Sequence, residues 1–194
     1  MSRRTKQALG TPYVMTGRNF NRIFNIGLNK SGTRSLVQAL DQLGFPAVHY
    51  RHEGTRLVDI VRRNRRRKLP LLHGLEDYDA FSDMAGEYYF HELDREYPDS
   101  KFILTVRDME SWLDSRERHV RRNKADPHYA YAFLKIDRQG WSRHFHLVTE
   151  RVQHYFSGRP ASLLVMNIPA GDGWQVLCPF LDVPAPALPF PCVK

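Results

Sequence analysis

The stretch from Arg22 to Gly44 constrains the fold most, because it changes character twice within a short piece of chain. Residues 22–28 (RIFNIGL) are an apolar run with β-branched side chains, which predicts a strand. The residues that follow, up to Ser35, are small and polar. The next run has apolar residues at helical spacing, at Leu36, Ala39, Leu40 and Leu43, and Gly44 is a suitable C-cap. This stretch therefore predicts a strand, a loop of small residues and a helix in direct succession.

The rest of the chain continues this alternation. Further strands are predicted at 45–50, 101–106 and 162–168, and helices at 55–68, 86–97, 109–122, 138–157 and 173–181. Short apolar segments at 69–75 and 78–82 fit either a strand or a loop. The run KFILTV at 101–106 is almost continuously hydrophobic, as is typical of a central parallel strand that is buried on both faces, and 162–168 also resembles a buried strand. These patterns predict an α/β fold with a mainly parallel central sheet flanked by helices.

Length and charge set the domain organisation. The chain has 194 residues, enough for one domain with a full core. We expect a flexible basic leader at 1–21 and a single α/β domain at 22–194. The 29 basic and 21 acidic residues give a net charge of +8, which attracts anions without distinguishing nucleic acid from a nucleotide or an acidic sugar. Much of this charge lies in the run 62–68 (RRNRRRK), where no aromatic residues or recognition motif indicate nucleic-acid binding.

The cellular setting is predicted from what the sequence lacks. Its two cysteines, Cys178 and Cys192, are too few for a disulfide framework, and no apolar run has the length of a transmembrane helix. The N-terminus has no apolar stretch after its basic residues, so it does not resemble a signal peptide. A reducing, cytoplasmic setting is the simplest interpretation. No convincing set of metal ligands is visible in the sequence.

The small-residue loop, residues 27–35, predicts an anion site. A loop between a strand and a helix directs several backbone N–H groups toward the positive end of the helix. Lys30 adds a mobile positive charge, and hydroxyl donors follow at Ser31, Thr33 and Ser35. The loop departs from the Walker A pattern, because Lys30 precedes Gly32 by two positions instead of following it.

This loop resembles the 5′-phosphosulfate loop of sulfotransferases that use 3′-phosphoadenosine 5′-phosphosulfate (PAPS). The resemblance implies a sulfotransferase fold related to that of P-loop nucleoside triphosphate hydrolases, with PAPS as donor and 3′-phosphoadenosine 5′-phosphate (PAP) as product. It implies that Lys30 contacts the bridging oxygen and the transferred sulfuryl group. The remaining donor contacts would come from Asn29, Ser31, Gly32, Thr33, Arg34 and Ser35.

Two further segments resemble the same family. Sulfotransferases bind the 3′-phosphate with an arginine at a strand end and a serine eight positions later, a spacing that Arg107 and Ser115 reproduce. The segments LLVMNI, GW, CPFLDVP and PFP between Ser162 and Pro191 are similar to the ends of many bacterial and marine members. The resemblance therefore extends from about Ile23 to Pro191. Met109 stands where a proline is common, and the sequence stops at Lys194, before a basic segment that many members carry.

Two carboxylates and two histidines are candidates for the catalytic base. Asp83 follows a short apolar run, where an α/β sheet places groups that face a ligand, and is our first candidate. Asp79 is the second candidate. His73 and His119 remain alternatives, although a single histidine is more often a packing or surface residue. Trp112 and Trp174 are interpreted as core residues.

The sequence therefore predicts a PAPS-dependent sulfotransferase that acts on a hydroxyl or amine of a small-molecule acceptor. The segments 49–55 and 123–131 would select the acceptor. One alternative is a P-loop kinase or nucleotide hydrolase, against which the displaced lysine argues. The other is a non-catalytic protein of sulfotransferase fold that binds a nucleotide or polyanion, which the early end of the sequence favours.

Overall fold

The computed structural model of the protein describes residues 18–131 and 133–193. In these residues, five parallel strands form one sheet in the order β2-β5-β1-β6-β7. The strands are β1 (Ile23–Asn25), β2 (Ala47–His49), β5 (Ala80–Ser82), β6 (Lys101–Thr105) and β7 (Leu163–Met166). A separate antiparallel ribbon joins β3 (Arg51–His52) to β4 (Thr55–Arg56). The prediction of an α/β fold with a mainly parallel sheet is confirmed.

Helices cover both faces of the sheet. They are α1 (Thr33–Gln42), α2 (Leu57–Arg66), α3 (Gly86–Glu96), α4 (Met109–Ala125), α5 (Arg138–Tyr155) and α6 (Trp174–Leu181), with a short 3₁₀ turn at Ile168–Ala170. Successive residues of a strand point to opposite faces, so Ile23 packs with α1 and α6 while Phe24 packs with α2 to α5. The result is a three-layer arrangement with a core on each side of the sheet. In the part of the chain described, no helix is both long and apolar enough to cross a membrane.

Two details differ from the sequence-based expectations, and one open alternative is resolved. The strand at 162–168 was expected to be buried, but β7 is an edge strand and Val165 is 40% exposed. The ribbon β3–β4 was not predicted, because its short polar strands carry no hydrophobic alternation. Of the two segments that fitted either a strand or a loop, 78–82 contains β5, whereas 69–75 contains a turn at 71–74 and no strand.

The predicted leader lies mostly outside the described residues. Of its last four residues, Phe20 is buried and packs against Phe45, with ring centroids 5.7 Å apart. The N–H of Asn21 donates to the carbonyl oxygen of Asp99. The packed domain therefore begins before the predicted boundary at Arg22, because an apolar ring and a backbone hydrogen bond hold this segment in place.

Candidate functional site

The small-residue loop leaves the carboxyl end of β1 and passes close to β6. At Gly27 a Cβ atom would lie 2.6 Å from the backbone nitrogen of Thr105 and still closer to its side chain. Real Cβ atoms do not approach other atoms this closely, so a glycine is required at this point. Gly27 thereby lets the loop turn directly against the neighbouring strand.

A buried polar network connects the loop to the strands of the sheet. The side-chain oxygen of Asn25 accepts hydrogen bonds from the N–H of Gly27 and the hydroxyl of Thr105, at 3.0 and 3.1 Å. The amide nitrogen of Asn25 donates to Ser82 Oγ on β5 at 2.9 Å. Ser31 Oγ lies 2.7 Å from Thr105 Oγ1 and also donates to the carbonyl oxygen of Leu28. Because such groups are costly to leave unpaired in a core, the network holds β5, β1, β6 and the loop in one arrangement.

The end of the loop is suited to an anion. Gly32 precedes the first helical residue of α1 with φ of 101°, and none of the described side chains caps this helix end. Lys30 also has a positive φ, 69°. Positive-φ residues in a turn direct neighbouring backbone N–H groups toward one side, and the helix dipole favours negative charge at this end of α1. This geometry agrees with an anion site at the loop, which stays a prediction.

The predicted hydroxyl donors of the loop all have partners within the protein. Besides the contacts of Ser31, Thr33 Oγ1 lies 3.2 Å from His49 Nε2. Ser35 Oγ accepts a hydrogen bond from the backbone N–H of Val193 at 3.0 Å. Ser31 is nearly fully buried, so its side chain stabilises the loop from the inside, while Arg34 is exposed.

Lys30 lies among charged groups at the mouth of this loop. Partial burial, followed by the positive charge of Arg122, lowers the pKa of the Lys30 ammonium below its ordinary value. The carboxylate of Asp83 acts in the opposite direction. Asp83 has φ of 55° and directly follows β5, so its side chain is brought to the same edge as Lys30.

Arg107 brings the second predicted segment to the loop. Its Nε donates to Ser111 Oγ at 2.8 Å, and its Nη1 lies 3.4 Å from the carbonyl oxygen of Lys30. Ser115 is one helical turn beyond Ser111, on the same face of α4. Ser111 was not singled out from the sequence, although its position four residues after Arg107 was a usable signal.

Of the four candidate bases, the structure brings two to Lys30 and leaves two elsewhere. Asp83 and His119 both act electrostatically with Lys30. Asp79 precedes β5 at the amino edge of the sheet and pairs with Arg18 and Arg22. Asp79 therefore lies at the amino end of β5, opposite to the edge that holds Lys30. The choice of Asp79 as a candidate base is corrected accordingly.

Of the two candidate histidines, one lies away from the site and the other interacts with Lys30. His73 is 57% exposed in the turns after α2 and lies 3.5 Å from Glu76, so it does not reach the site. Burial, and then Lys30, lower the pKa of His119 to about 4, which keeps its ring neutral near pH 7. The Nδ1 atom of His119 is buried and has no hydrogen-bond partner among the described residues.

An arginine held between aromatic rings was missed from the sequence. Arg116 Nη1 donates to Asn29 Oδ1 at 2.6 Å. Its guanidinium lies 4.7 to 4.8 Å from the ring centres of three residues, Trp112, Phe133 and Trp141. Burial lowers the pKa of Arg116 to about 10, so it remains charged at pH 7. Arg116 therefore fixes the side chain of Asn29 with a rigid, partly desolvated cation.

A second missed residue is Glu87 in the first turn of α3. Its burial raises the pKa of this carboxyl to about 7, and the nearby Asp83 acts in the same direction. Burial outweighs the opposing effect of Arg116. Its position one residue into a predicted helix resembles an ordinary helix start, so the sequence carried no signal for this environment.

The two segments that were expected to select the acceptor meet in the structure. Arg51 of the ribbon donates to the hydroxyl of Tyr131 at 2.5 Å, and Arg56 lies 4.7 Å from the centre of the same ring. The ribbon starts next to the site, because the N–H of Tyr50 donates to the carbonyl oxygen of Ser82. The basic run 62–68 ends α2, where Arg65 pairs with Glu92 of α3.

Taken together, these observations define an α/β protein in which a small-residue loop and the end of β6 meet at the carboxyl edge of a parallel sheet. The family model described as "Sulfotransferase domain" matches residues 22–163 and 135–194. The chain belongs to the sulfotransferase family.

Two examples of proteins that are similar to this chain follow. "Ava biosynthesis cluster protein M" of Aspergillus versicolor is 26% identical over 215 residues, covering 88% of this chain and 79% of that protein. The crystal structure of a sulfotransferase from Alicyclobacillus acidocaldarius superposes with a TM-score of 0.57 at 17% identity, covering 87% of this chain and 83% of that chain. This second similarity concerns the fold.

Proposed function

We propose that this protein transfers a sulfuryl group from PAPS to a hydroxyl or amine of a small-molecule acceptor. The observation that carries the proposal is the meeting of two cationic segments at one sheet edge, where Arg107 Nη1 lies 3.4 Å from the carbonyl oxygen of Lys30. Membership of the sulfotransferase family supports the same donor. PAPS, when bound, supplies the sulfuryl group and the adenylate leaving group.

The residues at this edge fit a donor with anionic groups at two ends. The uncapped start of α1 and the ammonium of Lys30 fit the 5′ side, where charge develops on the leaving group. Arg107, with Ser111 and Ser115 on the adjoining helix, fits the 3′-phosphate, because a guanidinium and a hydroxyl suit a dianion. Two separate segments of the chain would then hold the donor in a fixed orientation.

Asp83 is the group that we assign to proton transfer. Its carboxylate stands at the carboxyl edge of the sheet and acts on Lys30, so an acceptor between the two could lose its proton to Asp83. Lys30 would stabilise negative charge while the carboxylate accepts the proton. His119 is the other candidate base near Lys30, and burial together with Lys30 keeps its ring neutral near pH 7.

The proposal also includes the cellular compartment and the molecular partners of the protein. The acceptor would be a small molecule that enters between the ribbon and the segment around Tyr131, without nucleic acid or a membrane as partner. Cys178 and Cys192 are both free thiols, which supports a reducing cytoplasm.

Calorimetric titration with PAP, compared with ATP plus Mg²⁺, tests the donor. We expect PAP to bind more tightly, and expect Lys30→Ala and Arg107→Ala each to weaken its binding by about 10- to 100-fold, as for the loss of a charged hydrogen bond. Lys101→Ala is the matched control, because Lys101 lies at the opposite end of the strand that Arg107 follows and donates to the carbonyl oxygen of Ala161.

The alternatives predict other results. Tighter binding of ATP with Mg²⁺ would favour a kinase or nucleotide hydrolase. Binding of PAP that depends on Lys30, without sulfated product from PAPS and a panel of phenols, alcohols and amines, would favour a non-catalytic protein. Equal effects of Lys101→Ala and Arg107→Ala would remove the assigned role of Arg107.

A further inference from the structure

His49 joins the small-residue loop to the proposed base through one atom. Its Nε2 lies 3.2 Å from Thr33 Oγ1 and 3.0 Å from Asp83 Oδ2. His49 and Asp83 side chains are 25% and 20% exposed, so the contact is largely shielded from water. Thr33 begins α1 and Asp83 follows β5, so this single nitrogen links the predicted donor side of the site to the predicted acceptor side.

The sheet register produces this contact. In the parallel pair of β2 and β5, His49 is aligned with Ser82, the residue before Asp83. His49 is the last residue of β2, so its side chain emerges at the carboxyl edge, where the small-residue loop also lies. The pairing of two strands that are distant in sequence therefore sets the distance between His49 and Asp83.

The chemistry of the partners determines which atom carries the proton. A neutral imidazole nitrogen holds either a proton or a lone pair. An ionised carboxylate only accepts hydrogen bonds, so the Nε2 atom facing Asp83 must carry the proton. The hydroxyl oxygen of Thr33 can then share this donor, and the hydroxyl proton of Thr33 is directed away from the ring.

Other charged groups also face Asp83 at this point. Lys30, Glu87 and His119 all interact electrostatically with its carboxylate. Lys30 attracts the carboxylate toward the loop, whereas Glu87 repels it when ionised. Compared with these longer-range charges, His49 Nε2 makes a direct approach to Asp83 Oδ2, at a hydrogen-bonding distance of 3.0 Å.

We propose that His49 is a positioning residue that couples the donor loop to the base. Its Nε2–H holds Asp83 Oδ2, which leaves Asp83 Oδ1 to take the acceptor's proton: the acceptor's O–H or N–H bond breaks and an Oδ1–H bond forms. The same N–H orients the Thr33 hydroxyl so that its proton points to the anion at the start of α1. This inference rests on the proposed function, because it assumes that the donor's phosphate binds at Thr33.

The first test is a spectroscopic one on the whole protein, with histidine labelled with ¹⁵N. Long-range ¹H–¹⁵N spectra distinguish the two tautomers, and we expect His49 to be protonated at Nε2. Addition of PAP should shift the His49 ring signals in the unmodified protein, and Thr33→Val should greatly reduce that shift. Protonation of His49 at Nδ1 alone would overturn the proposal.

The second test compares PAP affinity in two variants of position 49. Glutamine carries an amide N–H donor that cannot act as a base, so His49→Gln should keep the affinity within about threefold. His49→Ala removes the donor and should weaken PAP binding by about three- to tenfold, the range of one neutral hydrogen bond. His154→Ala, at an exposed position in the last turn of α5, is the control and should bind normally.

These results separate the inference from the proposed function. If PAP binds in a Lys30-dependent manner but leaves the His49 signals unchanged, the coupling through His49 is wrong and the proposed function survives. If His49→Gln loses as much affinity as His49→Ala, a role as hydrogen-bond donor is wrong. If PAP does not bind at all, the proposed function fails together with the inference.

Discussion

The indole nitrogen of Trp112 donates a hydrogen bond to the carbonyl oxygen of Asn29 at 2.8 Å. Trp112 is fully buried in α4, so this contact connects the helix core to the small-residue loop. Arg116, one turn further along α4, holds the side chain of the same Asn29. One helix therefore fixes both the backbone and the side chain of the residue that precedes Lys30.

Arg116→Lys should weaken PAP binding several-fold and lower the free energy of unfolding by about 2 kcal/mol. Lysine keeps the positive charge, but an ammonium cannot stack flat against three rings while donating to Asn29. Denaturant unfolding and calorimetry measure the two effects. Arg121→Lys on the same helix, an exposed site paired with Glu117, is the control. A similar effect of both changes would contradict the special role of Arg116.

Gly27→Ala should lower the free energy of unfolding by about 3 kcal/mol or more, because the added methyl group overlaps Thr105 on the neighbouring strand. The free energy is measured by urea unfolding. Gly158→Ala adds the same methyl group where the structure shows no atom within 4 Å, and should change stability by less than about 0.5 kcal/mol. Equal stability of the two variants would show that the loop does not pass as close to β6 as described.

Asn25→Ala should both destabilise the protein and reduce its affinity for PAP. The change leaves the buried partners of Asn25 without their hydrogen bonds, at a cost of about 3 kcal/mol, and releases the base of the loop. Asn64→Ala is a matched control, because Asn64 is an equally buried amide that bonds the carbonyl oxygens of Leu71 and His73, away from the loop. It should lower stability without lowering PAP affinity in the folded protein.

Glu87→Gln should change how stability depends on pH. The pKa of Glu87 is raised to about 7 in the folded protein, so between pH 4.5 and 7 the folded state binds more protons than the unfolded state. The stability that protonated Glu87 contributes is therefore fully present below the ordinary carboxyl pKa of 4.5 that applies in the unfolded chain. This contribution is lost as the pH rises through 7. At pH 8 the glutamine variant should exceed the unmodified protein by up to about 3 kcal/mol, at 1.36 kcal/mol per pKa unit.

Urea unfolding at several pH values measures how the free energy of unfolding changes with pH in the glutamine variant and in the unmodified protein. Glu117→Gln is the comparison, because hydrogen bonds from Arg121 and Arg138 lower the pKa of that carboxyl. The stabilising contribution of Glu117 is present at neutral pH and is lost as the pH falls. Stability therefore changes with pH in the opposite direction to that expected for Glu87. A Glu87→Gln curve parallel to that of the unmodified protein would mean that the carboxyl is not held neutral.

Local sequence patterns were sufficient for much of the fold. The apolar run of β6, the helical spacing in α1 and the glycines around the small-residue loop each act over a few residues, so their outcome can be predicted without the partners. The short ribbon at 51–56 escaped prediction for the opposite reason. Its strands have two residues each, and the position of Tyr131 against Arg51 depends on a segment far along the chain.

The candidate site also combines features that the sequence predicts with features that only the three-dimensional fold explains. The chain alone determined that a small-residue loop with Lys30 follows a buried strand, since this depends on residues that are adjacent in sequence. Folding in three dimensions decided that His49 and Asp83 meet there and that Asp79 does not. Those positions depend on which strands pair and in which register, and parallel pairing joins segments whose separation along the chain carries no local signal.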